Sequence, residues 1–209
     1  MLKVLGRRTS SNVQKVLWCL DELGQPFTRE DYGGEFGRNN DPEYLALNPN
    51  GVVPTLIDGE LVFWESNTIL RYVASKYGAT GLYPVNPVER ALCERWMDWQ
   101  LSNMSPAITP LFIALIRTAP EKRDEATIAW SIQRSRRLFA ILDDVLSDRQ
   151  YLNGSALTLA DLCLGISAFR WFEMPVDRGE VLPYLEKWYS RLRDRSAFRV
   201  CPERSCGIA

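Results

Sequence analysis

Two hydrophobic periods alternate along the first 78 residues of the chain. Short apolar runs of strand length alternate with segments whose apolar residues recur every three or four positions, as they do on one face of a helix. This order predicts a β-α-β-α-β-β-α unit, an α/β domain with a mixed four-stranded sheet. The predicted strands are residues 2–6, 27–32, 55–58 and 61–64, and the predicted helices are residues 11–24, 42–47 and 65–77.

Helical periodicity dominates the remainder of the sequence. Two glycines and two prolines in residues 78–87 indicate a linker, and Pro106 and Pro110 are expected to interrupt or kink the first long helix. We therefore predict a domain at residues 1–78, a linker at residues 79–86 and an all-α domain at residues 87–209. The predicted helices of the second domain are residues 88–105, 111–116, 121–146, 158–172 and 182–192.

Composition narrows the class of protein. The chain has 209 residues, of which 46% are hydrophobic and 24% are charged, as in water-soluble globular proteins. A net charge of -1 gives no basic surface for nucleic acid or anionic membranes, so neither partner is expected. No apolar run approaches the roughly 20 residues that span a bilayer, and the N-terminal apolar stretch is too short for a signal peptide. A cytoplasmic location is therefore expected.

The chain has five cysteines and no histidine. The odd number of cysteines, without a C-x-x-C pair, argues against a disulfide framework. The lack of histidine excludes a Ser-His-Asp triad, a Cys-His dyad and the common histidine-containing zinc sites. No metal site is expected, and acid–base chemistry near neutral pH has to use another group or one that a ligand supplies.

Residues 51–66 hold the most informative local pattern. Pro54 stands directly before an apolar run, and Glu65-Ser66 opens a predicted helix. A cis Val53-Pro54 bond would expose the Val53 backbone to pair with a peptide ligand. Glu65 would bind an ammonium group of that ligand. The free N–H groups near Ser66 would bind a carboxylate of it. The alternatives are that Pro54 only starts a strand and that Glu65-Ser66 only caps a helix.

A hydroxyl-rich segment, residues 8–12, links the first strand to the first helix and is called the serine loop below. A hydroxyl at a helix N-terminus stabilises anionic species, and without histidine it is not a conventionally activated nucleophile. It is able to donate a hydrogen bond to a bound thiolate, which lowers the pKa of that thiol. Whether Thr9, Ser10 or Ser11 would contact the sulfur is left open, as is the alternative that these residues only cap the helix.

Together these features resemble the cytosolic glutathione transferase superfamily, in its bacterial theta-, zeta- and nu-like serine type. The resemblance implies a thioredoxin-like N-terminal domain, an all-helical C-terminal domain and a homodimer. It also implies glutathione as a co-substrate, with no cofactor. The segments that match, in the expected order and spacing, are Ser10-Ser11-Asn12, residues 47–54, Glu65-Ser66 and residues 157–161.

The resemblance also implies roles for single residues. Ser10 matches the catalytic serine, Ser11 the second serine of the zeta pattern, and Asn12 an asparagine of the nu-like group. Asn12 would assist Ser10 in stabilising the thiolate. The residues implied in binding glutathione are Val53, Pro54, Glu65, Ser66 and, near the glycyl end, Asn39.

Thr158 and Asp161 form a capping-box pattern before an apolar run. A polar pair in a cleft is the functional interpretation, but the pattern resembles a structural N-cap of the family and is predicted to be one. Replacing Thr158 with alanine is then expected to cost about 1 kcal/mol of stability without changing glutathione affinity.

An apolar electrophile needs an apolar wall, which the helical domain would supply. Arg95 or Arg117 would face an anionic co-substrate, with a solvated surface as the alternative for either. The candidates for the wall, most of which are expected to be core residues, are Trp96, Trp99, Met104, Phe112 and Trp171.

Three functions compete. The leading hypothesis is a detoxification enzyme that conjugates the glutathione thiolate to a small apolar electrophile. The second is glutathione-dependent reduction of a disulfide or peroxide without a protein cysteine, since no cysteine occupies the loop at residues 8–12. The third is a non-catalytic module with this fold that only binds or assembles. The sequence does not name the electrophile.

Overall fold

One mixed sheet organises the N-terminal part of the computed structural model, which describes residues 1–78 and 81–200. Its strands are β1 (Leu2–Leu5), β2 (Phe27–Glu30), β3 (Thr55–Asp58) and β4 (Leu61–Trp64). They lie in the order β2-β1-β3-β4, with β1 parallel to β2 and antiparallel to β3. The hairpin of β3 and β4 forms the other edge. The predicted mixed four-stranded sheet is confirmed.

Helices surround this sheet and form the second domain, so the predicted fold class is confirmed as a whole. The first domain has α1 (Ser11–Glu22), α2 (Pro42–Leu47) and α3 (Ser66–Lys76). The second has α4 (Pro87–Trp99), α5 (Ser105–Phe112), α6 (Glu125–Val145), α7 (Leu159–Glu173) and α8 (Pro183–Arg193). Short 3-10 turns lie at Gly34–Phe36, Pro120–Lys122, Leu146–Asp148 and Ser196–Val200. Within the described residues, no helix combines the length and apolar character that crossing a bilayer requires.

The prolines after α4 do not end the helical run, so of the two predicted outcomes, an interruption or a kink, the interruption does not occur. Wider π-helical turns at Gln100–Met104 and Ile113–Arg117 flank α5, which contains Pro110. In the first of these turns the Ser105 N–H donates to the carbonyl of Gln100, five residues earlier. Helical hydrogen bonding therefore continues although proline lacks an N–H.

α1 is buried along its middle because it contacts α3 on one side and α7 on the other. Gly165 allows the close approach of α7: a Cβ at this position would lie 2.8 Å from Leu192 and 3.0 Å from the ring of Trp18. Glu22, at the end of α1, accepts hydrogen bonds from Trp18 Nε1 at 2.8 Å and from both Nε and Nη2 of Arg195 at 2.6 and 2.7 Å. These contacts fix the first domain against the second.

The capping box predicted at residues 158–161 is present at the start of α7. Asp161 Oδ2 accepts from the backbone N–H and the hydroxyl of Thr158 at 2.9 and 3.0 Å. Its Oδ1 accepts from the Leu152 N–H at 2.9 Å and from Trp188 Nε1 at 3.0 Å. The fully buried carboxylate thus connects α7 to the preceding loop and to α8.

A carboxylate also fastens α3 to the sheet. Asp58 Oδ2 accepts from Lys76 Nζ at 2.6 Å and from the hydroxyls of Tyr72 and Tyr77, both at 2.8 Å. The hydrogen bond from Lys76, assisted by those from the two tyrosines, lowers the pKa of Asp58 to about 2. The cluster holds the hairpin against the helix that begins at Ser66.

Asp58→Asn is expected to make folding stability less sensitive to acid. Because the folded pKa of Asp58 lies below its unfolded value, its contribution is present above about pH 4 and is lost as the pH falls towards 2. The contribution is about 1 kcal/mol after allowance for solvent screening. Urea unfolding between pH 3 and pH 7 measures it, with exposed Asp41→Asn as the control. A parent–variant difference that does not depend on pH would contradict the assignment.

Candidate active site

Gly6 brings three parts of the site together at the end of β1. Its φ is +154°, and a Cβ there would lie 2.5 Å from Val13 Cγ2 and 3.2 Å from Val53 Cβ. Only a residue without a side chain lets α1 and the loop before β3 approach the strand this closely. The segment at residues 7–12 and the segment around Val53 are therefore neighbours.

Ser10 is the N-cap of α1, with extended backbone angles. Its N–H donates to the Arg7 carbonyl at 3.2 Å, and its carbonyl accepts the Gln14 N–H at 2.9 Å. Its side chain, only 8% exposed, makes no capping hydrogen bond, so capping is not what its hydroxyl does here. The hydroxyl thus lies at the positive end of α1 and remains available to a ligand.

The Val53-Pro54 bond is cis, as predicted. Across the described residues, no hydrogen bond uses the N–H or the carbonyl of Val53. The preceding carbonyl, that of Val52, accepts from Tyr44 Oη at 2.6 Å and from Asn48 Nδ2 at 2.8 Å. The loop is fixed from one side, and the Val53 backbone stays unpaired for an extended ligand.

Asn39 supports the same loop. Its Nδ2 donates to the Gly51 carbonyl at 2.6 Å. The amide predicted to meet the glycyl end of glutathione is thus already engaged in holding residues 51–54 in place.

Glu65 and Ser66 begin α3 in an unusual backbone conformation. Glu65 has φ +67°, a left-handed value that is uncommon and costly for a residue other than glycine and that occurs frequently at ligand sites. Its side chain is exposed, whereas Ser66 is buried. The Ser66 hydroxyl donates to Asn12 Oδ1 at 3.3 Å, which joins the two predicted halves of the site.

A cavity of about 340 Å³ opens beside Ser10, Ser11 and Asn12 and extends to the helical domain. Thr9 is exposed and does not line it. The helical domain contributes both polar and apolar side chains to the cavity. Of these, only Arg117 was a candidate from the sequence. The lining residues beyond the serine loop are Arg7, Lys15, Gln100, Leu101, Ser105, Ile108, Thr109, Arg117, Cys163, Ile166, Ser167 and Arg170.

The side chains predicted to form the electrophile wall are not among the described residues that line the cavity. Met104 and Trp171 are buried in the core, where Trp171 stacks on Phe139 at 5.2 Å. Trp99 is half-buried and packs edge-on against Trp96 at 5.4 Å. Phe112 is buried directly behind the cavity, beneath two arginines that line it. Large apolar side chains lie in a protein core more often than in a cavity wall. The apolar side chains that line this cavity are instead those of Leu101, Ile108 and Ile166.

Lys15 lies at the floor of the cavity and is only 1% exposed. Its ammonium donates to Asn67 Oδ1 at 2.8 Å and to Gln100 Oε1 at 3.4 Å. Burial lowers the pKa of Lys15, while the nearby Cys163 and Glu65 oppose the shift. The sequence could have indicated the burial of Lys15, because residues 13–20 of α1 are otherwise mostly apolar. No face of this segment is left to point towards solvent.

The described cysteines do not supply a reactive thiolate. Cys19, Cys93 and Cys163 are buried, and burial raises the pKa of each thiol, that of Cys163 to about 12. Cys163 lines the cavity, but its thiol donates to Asn67 Oδ1 at 3.3 Å and stays protonated near neutral pH. Cys201 and Cys206 lie outside the described residues.

A mixed sheet with a cis-proline loop, a serine at the first helix and an all-α second domain define the glutathione transferase fold class. The sequence matches the family Glutathione S-transferase, N-terminal domain, over residues 1–75 and the family Glutathione S-transferase, C-terminal domain, over residues 104–196. The chain belongs to the glutathione S-transferase family.

The relatives match this chain over nearly its whole length. Glutathione S-transferase GstB of Escherichia coli is 39% identical over 201 residues, which are 95% of this chain and 96% of the relative. Glutathione S-transferase 3 of Zea mays is 31% identical over 207 residues, covering 95% and 91% of the two chains. A theta-class glutathione S-transferase from Xanthomonas axonopodis pv. citri, solved with glutathione bound, superposes with a TM-score of 0.92 at 48% identity and covers 100% of this chain and 98% of its own.

Proposed function

We propose that the protein conjugates glutathione to a small electrophile and that Ser10 stabilises the glutathione thiolate. The observation that carries this proposal is the Ser10 hydroxyl, buried at the N-terminus of α1, without a capping bond and facing the cavity. A hydrogen bond from this hydroxyl and the positive end of the helix both favour the thiolate over the thiol.

Glutathione would bind along the first domain. Its backbone would pair with the unpaired N–H and carbonyl of Val53, in the manner of an added strand. Its γ-glutamyl end would lie at the start of α3, where Ser66 offers a backbone N–H and Glu65 an exposed carboxylate for the ammonium. Asn12 would act indirectly, because its amide oxygen already holds the Ser66 hydroxyl.

The chemical step needs little from the protein beyond this arrangement. The thiol proton leaves to solvent, the sulfur forms a bond to the electrophilic carbon, and the leaving group departs with its electron pair. The protein contributes a lowered thiol pKa and the proximity of two bound reactants. The absence of histidine from the whole sequence agrees with a reaction in which the ligand supplies the nucleophile.

Ser10→Ala is expected to lower kcat/KM for a neutral aryl halide by about tenfold to a hundredfold. A hydrogen bond to a charged group contributes about 1.5 to 3 kcal/mol, and each 1.4 kcal/mol is a factor of ten. The ultraviolet absorbance of the bound thiolate, followed against pH, is expected to show a raised pKa of the glutathione thiol.

Ser11→Ala is the matched control, because Ser11 lines the same cavity one residue further along. It is expected to change the rate less than threefold. A larger loss in Ser11→Ala than in Ser10→Ala would transfer the role to Ser11. Turnover of a small disulfide without turnover of the aryl halide would favour the reductase hypothesis, and no activity with either would favour a binding module.

A further inference from the structure

The cavity is strongly cationic, although the whole chain carries a net charge of -1. Four basic side chains line it, and no carboxylate of the described residues does. Charges of one sign in a confined cleft concentrate ligands of the opposite sign. The four side chains are Arg7, Lys15, Arg117 and Arg170.

Two of these cations belong to the helical domain and are held by one aromatic ring. The guanidinium of Arg170, on α7, lies 4.1 Å from the centre of the Phe112 ring, and that of Arg117 lies 5.1 Å from it. Phe112 is 4% exposed, so the ring is a fixed support. Cation–π contacts of this kind position both guanidinium groups before a ligand arrives.

Arg7 extends the cationic surface towards the serine loop. Its side chain lies against Gly33 and Gly34, and its Nε is 3.9 Å from a Glu35 carboxylate oxygen. Burial and the proximity of Arg117 both lower the pKa of Arg7. Glu35 opposes this shift, so the carboxylate offsets part of the charge of Arg7, while Arg7 and Arg117 line the same cavity.

The same cavity has an apolar side. Leu101, Ile108 and Ile166 line it together with the arginines. A ligand that matches this surface combines a small apolar body with one anionic group, and a carboxylate fits the planar donor fork of a guanidinium.

We propose that Arg117 and Arg170 form an anion subsite that selects carboxylate-bearing electrophiles. This inference rests on the proposed conjugation reaction and names the substrate class for it. The carboxylate is bound and stays unchanged while the thiolate displaces a leaving group such as chloride from another carbon of the same molecule.

The test compares two electrophiles of the same shape, para-(chloromethyl)benzoate and para-(chloromethyl)benzamide. The ratio of their kcat/KM values is measured for the parent, Arg117→Gln and Arg170→Gln. Each variant is expected to lower the benzoate-to-benzamide ratio about tenfold while the KM for glutathione changes little, because one charge-assisted contact is lost. Arg95→Gln is the matched control: Arg95 is exposed, as Arg117 is, and lies 5.6 Å from an aromatic ring, that of Trp96, but it does not line the cavity.

An unchanged ratio in both variants would overturn the proposal. A rise in the KM for glutathione at a constant ratio would also overturn it, by assigning the arginines to the carboxylates of glutathione. If neither probe is turned over, the proposed reaction fails, and calorimetric binding of the carboxybenzyl and carbamoylbenzyl conjugates of glutathione still tests the subsite. Equal affinity of the parent for the two conjugates would then refute it.

Discussion

Asp161→Ala is expected to lower the free energy of unfolding by about 4 kcal/mol, enough to bring a marginally stable protein close to unfolding. The buried carboxylate accepts four hydrogen bonds, from Thr158 N and Oγ1, Leu152 N and Trp188 Nε1. Alanine leaves these donors without their acceptor in a site that water does not reach, and each unsatisfied donor costs about 1 to 3 kcal/mol. Asp161→Ala therefore removes both the cap of α7 and a contact between α7 and α8.

Urea unfolding followed by tryptophan fluorescence measures this loss. Thr158→Ala, which removes one hydroxyl and leaves the carboxylate in place, is expected to cost only about 1 kcal/mol and to leave glutathione affinity unchanged. It keeps the prediction testable if Asp161→Ala does not fold. Asp144→Ala, at an exposed position of α6, is the control and is expected to change stability by less than about 0.5 kcal/mol. Equal effects of Asp161→Ala and Asp144→Ala would contradict the prediction.

Asn67→Leu is expected to cost about 3 kcal/mol, because it leaves a buried ammonium poorly paired. Asn67 Oδ1 is the nearest acceptor of Lys15 at 2.8 Å, and among the described residues only the longer 3.4 Å contact to Gln100 would remain. The amide of Asn67 also donates to the Met97 carbonyl at 3.1 Å. The change therefore disturbs a polar network whose members Lys15 and Gln100 line the same cavity as Ser11, and activity is expected to fall with stability.

Lys15→Met separates the charge from the rest of this network. Replacing a buried charge by an apolar side chain of similar length costs little, so the single variant is expected to lose about 1 kcal/mol. The double variant Lys15→Met/Asn67→Leu is expected to be about 2 kcal/mol more stable than Asn67→Leu alone. Strictly additive effects would show that the two side chains do not interact.

The pH dependence gives a second readout of the same pair. Burial already lowers the folded pKa of Lys15 below its unfolded value, so the unfolded chain binds this proton more tightly than the folded chain. The contribution of Lys15 to folding stability therefore rises with pH. Asn67→Leu lowers that pKa further. Its deficit relative to the parent is therefore expected to narrow as the pH is raised from 7 towards 10, and a constant deficit would argue against an uncompensated ammonium.

Contiguous motifs were predictable from the sequence because their geometry is local. A proline after Val53, a helix start at Glu65-Ser66 and a threonine three residues before Asp161 each define a backbone conformation through neighbouring residues. The structure has the cis bond, the helix start and the capping box at these positions. The alternation of strand and helix periods likewise predicted the sheet domain.

The walls of the cavity were not predictable in the same way. Residue type alone does not tell a core side chain from a cavity wall, so Met104 and Trp171, which are buried in the core, were candidates while the apolar residues that line the cavity were not. Each π-helical turn next to α5 adds a residue and rotates the succeeding side chains by about 100° relative to a regular helix. The side-chain directions of Leu101, Ile108 and Arg117 depend on those turns.

The sequence by itself determined the fold class, the serine loop, the cis-proline loop and the caps, because short-range sterics and hydrophobic periodicity encode them. Only the tertiary structure decided that Lys15 is buried at the cavity that Ser10 and Ser11 line, that Asn12 joins Ser66, and that Arg117 and Arg170 share the Phe112 ring. These pairings bring together α1, α3, the end of the α5 run and α7, which are far apart in the chain. Packing of helices at close range, as at Gly165, sets such distances, and no local pattern records them.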